Sequence, residues 1–135
     1  MTKLRQRLSH QEGFTLIELL IVIVIIGILL AIAVPSYLGF KDRANKRAAQ
    51  SDVREALVTA EAYYSDQGTY VGLTPNTMKA IDSGLSSHVA VAGTPTSGGY
   101  CLTASVGGQA WSAHGPGAQW HESDDCSGSV VTSVG

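Results

Sequence analysis

Three patterns of apolar and polar positions follow one another along the chain. From Phe14 to Val34 the only polar side chains in 21 residues are Thr15 and Glu18. A helix of that length spans about 30 Å, the thickness of a bilayer's hydrocarbon core. Its apolar character is all-round, and 135 residues are too few to wrap such a helix inside a soluble domain. From Phe40 to Ser65 there is neither glycine nor proline, and Ala49, Val53, Ala56, Leu57, Ala60 and Tyr64 recur at helical spacing. Gln50, Asp52, Arg54, Glu55 and Glu61 fall largely off that face. Asp66-Gln67-Gly68 ends the pattern, with Gly68 as a left-handed cap. The two patterns predict one helix over 14–66, membrane-inserted over 14–36 and amphipathic over 37–66.

The third pattern, 67–135, predicts a small globular head. Thr74-Pro75 reads as an N-cap followed by proline at the first helical position, opening a short helix from Pro75 to about Asp82. Strand-like runs follow at Ser87–Ala92, Tyr100–Val106, Gln109–Ala113 and Ala118–Glu122. Gly107-Gly108 reads as a two-residue hairpin turn, and His114-Gly115-Pro116-Gly117 as another turn. The expected fold is α+β, an antiparallel meander laid over the apolar face of the long helix. Tyr100, Leu102, Ala104 and Val106 alternate onto the inner face and Cys101 points the other way.

Composition adds a compartment. Cys101 and Cys126 are the only cysteines, an even count that suits one disulfide outside the cytoplasm, with two free thiols as the alternative. Net charge of −2 gives no global case for nucleic-acid binding. Three cations, Lys3, Arg5 and Arg7, precede the apolar run and four, Lys41, Arg43, Lys46 and Arg47, follow it, so charge alone does not orient the span. A secretory signal peptide fits less well: the run exceeds an h-region, and His10-Gln11-Glu12-Gly13 separates it from the basic start. Asp42 and Lys46 stand one turn apart as an expected ion pair.

Two residues break the apolar run. An ionised Glu18 in hydrocarbon is costly and seeks a cation, unless it snorkels to the headgroups at a helix start that favours it. Pro35 removes a helical hydrogen bond, and an interior Gly27 costs about 1 kcal/mol against alanine, so the stretch between them bends or melts more readily.

Gly13-Phe14-Thr15-Leu16-Ile17-Glu18, after a short basic leader and before a long apolar run, resembles the signature of type IV prepilins and their relatives. The likeness continues through Gly27, Pro35, Ser36 and Tyr37, about a quarter of the chain, and past residue 65 it is architectural only. The resemblance implies a leader over 1–13, cut by a prepilin peptidase between Gly13 and Phe14, whose new amine the same enzyme N-methylates. It implies an assembly role for Glu18, pairing with the amine of a neighbouring subunit. It implies a cytoplasmic-membrane precursor with its N-terminus inside, an assembly machinery and an extracellular homopolymer, without a cofactor. Adhesion, twitching motility and DNA uptake are the functions such filaments serve. A minor pilin or type II secretion pseudopilin shares this N-terminus. A membrane-anchored binding protein that never polymerises is the reading from another class.

Other chemistry is thin. His88, His114, His121, Asp124 and Asp125 match no ligand spacing, and calcium on Asp124 and Asp125 is the least remote metal reading. Lys41, Arg43, Lys46, Arg47 and Arg54 could meet DNA or lipid headgroups, but read first as a solvated or subunit-contacting face. Tyr63, Tyr64 and Tyr70 read as packing residues. No nucleophile-base pair or phosphate loop suggests an enzyme.

Overall fold

In the computed structural model the described residues are 13 and 15–127; positions 1–12 of the expected leader, Phe14 and 128–135 lie outside them. Helix α1 runs from Leu16 to Gln67, with Pro35 inside it, against the expected 14–66. The chain divides into two units, 1–39 and 40–135.

In the first unit the large apolar side chains from Leu16 to Leu38 are all exposed, from 48% for Ile26 to 87% for Leu16. This helix is the one element among the described residues long and apolar enough to cross a membrane. An apolar surface on every side is what a helix surrounded by lipid or by other helices presents.

The second unit holds the head. Its core gathers Ala49, Val53, Ala56 and Ala60 of α1 with Tyr70, Leu73, Met78, Leu85, Val89, Tyr100, Leu102, Ala104, Trp111 and Ala113. The helix contributes mostly alanine, so large side chains from the sheet and loops fill the space against it. Gln50, expected off this face, is buried at its margin, and so is Thr59, whose hydroxyl donates to the Glu55 carbonyl 3.1 Å away. That bond to the preceding turn satisfies the buried hydroxyl and lets threonine sit inside a helix. Gly68 closes α1 at φ 70, as its position suggested, and its N–H donates to the Tyr64 carbonyl at 2.7 Å.

Helix α2 spans Pro75–Ile81, one residue short of the expected end. Thr74 is its N-cap, and Thr77 answers with its own hydroxyl, so two backbone N–H groups are satisfied reciprocally. The sheet is an antiparallel meander in the order β1-β2-β3-β4, with β1 Val89–Ala92, β2 Tyr100–Val106, β3 Gln109–Gly115 and β4 Gln119–His121. The β2–β3 turn is Gly107-Gly108, at φ 55 and 83, the pair of positive values a two-residue primed turn needs. A Cβ on Gly107 would also overlap the side chain of Asn45 on α1.

Three of the four strands differ from expectation. β1 begins at Val89 rather than Ser87, and β4 is trimmed at both ends. β3 continues through His114 and Gly115, which the Gly-Pro pair had suggested were turn. Gly115 belongs to the strand because it faces Tyr100 across the ladder, and the Tyr100 ring lies where a Cβ on Gly115 would stand. The ring is thereby held 4.6 Å from that of Tyr70, which lies 4.6 Å from Tyr64. Gly115→Ala must expel the Tyr100 ring. The expected loss is about 2–3 kcal/mol, in the range of overpacked cores. Thermal melting of the full-length chain, followed by the fluorescence of Trp111 and Trp120, measures it. The same substitution in a Tyr100→Leu background is expected to cost less, because the overlapping ring is gone.

Candidate assembly site

Glu18 is the one acidic side chain in the apolar run, and its local geometry explains why α1 starts where it does. The Glu18 N–H donates to Thr15 Oγ1 at 3.2 Å, and the Thr15 N–H donates to Glu18 Oε2 at 3.3 Å. This is a reciprocal capping box, with Thr15 as N-cap and Glu18 three residues on. Among the described residues the carboxylate thus has one donor, with further lone pairs available for a cation. Phe14, whose amine the leader cut would free, lies outside the described residues.

Among the described residues nothing lies within 4 Å of where a Cβ on Gly27 would stand, so no contact there calls for glycine. Pro35 cannot donate to the carbonyl of Ala31 one turn earlier, so α1 lacks a bond at that point.

The head is closed by contacts that join distant parts of the chain. Glu61 accepts from the Tyr100 hydroxyl at 2.8 Å and from that of Tyr70 at 3.0 and 3.1 Å. One carboxylate on α1 so ties a loop and a strand to the helix. Burial, then the hydrogen bond and charge of Glu61, push the Tyr70 hydroxyl up to about 12. The same causes, in the same order, raise that of Tyr100. The folded head therefore keeps protons that the unfolded chain releases near pH 10. Their contribution is complete below pH 10; that of Tyr70 is lost as pH climbs from 10 through 12, and that of Tyr100 persists to higher pH. Titration of tyrosine absorbance is expected to show Tyr70 and Tyr100 ionising late, with the head unfolding as they do. Glu61→Gln is expected to shift Tyr70 back toward 10.

The basic stretch behaves unevenly. Lys46 pairs with Glu122 beside β4, not with Asp42 one turn back, and sits 5.2 Å from the Trp111 ring centre. Arg54 lies 5.7 Å from the ring centre of Trp120, which packs edge-on to Trp111. No local spacing announces these contacts, because they depend on how the strands register against the helix. Lys41, Arg43 and Arg47 are exposed.

The outer face of the sheet is covered by the C-terminal segment. Cys101 of β2 is joined to Cys126, and the Cys126 N–H donates to Ser112 Oγ of β3 at 3.0 Å. Ser112 Oγ also meets Ser123 Oγ at 3.2 Å. Beneath this cover Thr103, Ser112 and His121 are buried. Neither ring nitrogen of His121 has a hydrogen-bond partner among the described residues. His88 instead contacts Asp52, 3.1 Å from Nδ1 to Oδ2. His114 is exposed. Asp125 accepts from the Ser127 N–H at 2.9 Å, and hydrogen bonding to Ser127 lowers its carboxyl below the ordinary value. Asp124 adds no further ligand: among the described residues no three His, Cys, Asp or Glu side chains converge as a metal site would need.

Comparison with known proteins places this geometry. Residues 8–34 match the prokaryotic N-terminal methylation motif. The chain is 36% identical over 114 residues to the type IV wide pilus major component PilA4 of Thermus thermophilus, covering 81% of this chain and 85% of that protein. It is 35% identical to the type IV major fimbrial protein FimA of Dichelobacter nodosus, over 70% of this chain and 64% of the relative. It is 38% identical to the type II secretion system core protein G of Escherichia coli, over 56% of this chain and 49% of the relative. It thus spans less than two thirds of the last two proteins.

Proposed function

Because this chain belongs to the type IV pilin and pseudopilin family, we propose that it is the repeating subunit of a type IV pilus, a structural protein rather than an enzyme. The observation that carries the reading is the pairing of two surfaces in one chain: an all-round exposed apolar helix, and a head packed on its own core. The precursor crosses the cytoplasmic membrane once, N-terminus inside. A prepilin peptidase cuts between Gly13 and Phe14 and methylates the Phe14 amine. Glu18 pairs with that amine on a neighbouring subunit, and an assembly machinery draws α1 from lipid into the filament. Helix then replaces lipid around the apolar surface. Gly27, with open space beside it, admits a close neighbour, and the stretch from Gly27 to Pro35 is where the helix yields under tension.

A second reading, a type II secretion pseudopilin, is favoured by the similarity to protein G. The broader match to a pilus component sets it second. Removing the gene and labelling sheared surface fibres with an antibody to the head separates the two. A pilus subunit gives fibres labelled along their length that vanish with the gene. A pseudopilin gives label confined to membranes, with loss of secretion.

A further inference from the structure

Four cations follow the apolar run, on the side where short membrane-flanking loops do not favour them. The fold uses one of them: Lys46 is turned to Glu122. Lys41, Arg43 and Arg47 are exposed and make no ion pair among the described residues. At 3.6 residues per turn, Phe40, Arg43 and Arg47 fall within about 60° of one another, on a face turned away from buried Ala49 and Val53. Phe40 is 76% exposed, a large apolar ring with no place in the head's core. Asp42, the only acid between Glu18 and Asp52, points off this stripe. Arg43, Lys46, Arg47 and Gln50 line one shallow depression of about 220 Å³.

We infer that this face is a dock for anionic phospholipid headgroups of the extracytoplasmic leaflet, occupied while the subunit waits in the membrane. The inference rests on the membrane-spanning reading above. Lys41 follows Val34 by seven residues, so in any conformation the chain holds it within about 25 Å of the apolar run's end. Phe40 is the aromatic ring that an interface favours, and two guanidinium groups offer paired N–H donors to phosphate oxygens. Cations at an anionic surface add attraction residue by residue, whereas a zwitterionic surface offers none in net. The dock holds the precursor at its exit level, and extraction into a filament exchanges headgroups for neighbouring subunits.

The test reconstitutes the full-length chain in nanodiscs of equal phosphatidylglycerol and phosphatidylcholine, and reads the lipids retained on the released protein by native mass spectrometry. Phosphatidylglycerol is expected in at least roughly threefold excess. Arg43→Gln/Arg47→Gln is expected to reduce that excess, while Lys3, Arg5 and Arg7 act equally in both chains. Both substitutions lie outside the core, and unchanged melting of the head verifies that the fold is kept. Wild type without an excess, or an excess untouched by the double substitution, overturns the dock while leaving the span intact. A chain that does not enter the discs overturns both. Absence of a lipid preference combined with loss of filaments in the variant assigns the face to a second copy instead, and also overturns the dock.

Discussion

Glu18→Ala is expected to abolish surface filaments while leaving the leader cut and membrane insertion in place. Removing one partner of a buried charge pair leaves the other unpaired, at about 3–5 kcal/mol. Applied at each subunit addition, that is roughly a hundredfold or more against assembly. The capping box with Thr15 makes a second variant decisive. Alanine removes the charge and also the cap, and the cap alone is worth about 1 kcal/mol. Glutamine keeps the reciprocal hydrogen bond and removes only the charge. If the carboxylate serves to pair with a neighbouring amine, Glu18→Gln fails as completely as Glu18→Ala. If it serves to start the helix, Glu18→Gln assembles normally and only alanine is impaired. Fibre yield in a sheared fraction, beside the amount of processed subunit in membranes, reads the difference.

Loss of the disulfide is expected to be the most damaging change to the head. Cys101 and Cys126 are 25 residues apart, and closing a loop of that length contributes about 3–4 kcal/mol on the chain-entropy model. The bridge also holds Cys126 at φ 56, in the left-handed region that side chains other than glycine enter reluctantly. It keeps the Cys126 N–H over Ser112, and with it the cover above Thr103 and His121. Cys101→Ser/Cys126→Ser is expected to lower the melting temperature by about 15–25 °C for a domain of this size. Hydrogen exchange is expected to quicken first in the C-terminal segment and the outer face of β2 and β3, with the core facing α1 affected later. A melting point within a few degrees of wild type would show that the segment stays down without the bridge.

Periodic signals in the sequence located the elements that pack on one face. Helix α1 ends within a residue of its expected limit, because Gly68 stops the apolar pattern with a residue suited to the left-handed cap. Strand β2 matches its expected range, because its alternation and the Gly107-Gly108 turn agree. Gly115 stands in β3 although a glycine before proline carries a turn signal, because the Tyr100 ring arrives there from the neighbouring strand β2. Gln50 was misplaced because burial at the margin of a helix face depends on what packs there. Lys46 had a partner at helical spacing in Asp42 and found Glu122, 76 residues away, an outcome set by tertiary structure alone. The Thr15–Glu18 capping box is legible in the spacing Thr-x-x-Glu. Gly13, Phe14 and Glu18 stand out in the sequence as a motif, and the roles proposed for them lie between molecules rather than inside the fold of one chain.

The most direct test of the account is the intact mass and N-terminal sequence of this protein in a sheared cell-surface fraction. The expected result is an abundant chain that begins at N-methylated Phe14 and is two hydrogens light for one disulfide. A chain still beginning at Met1, in cells with a working prepilin peptidase, would contradict it.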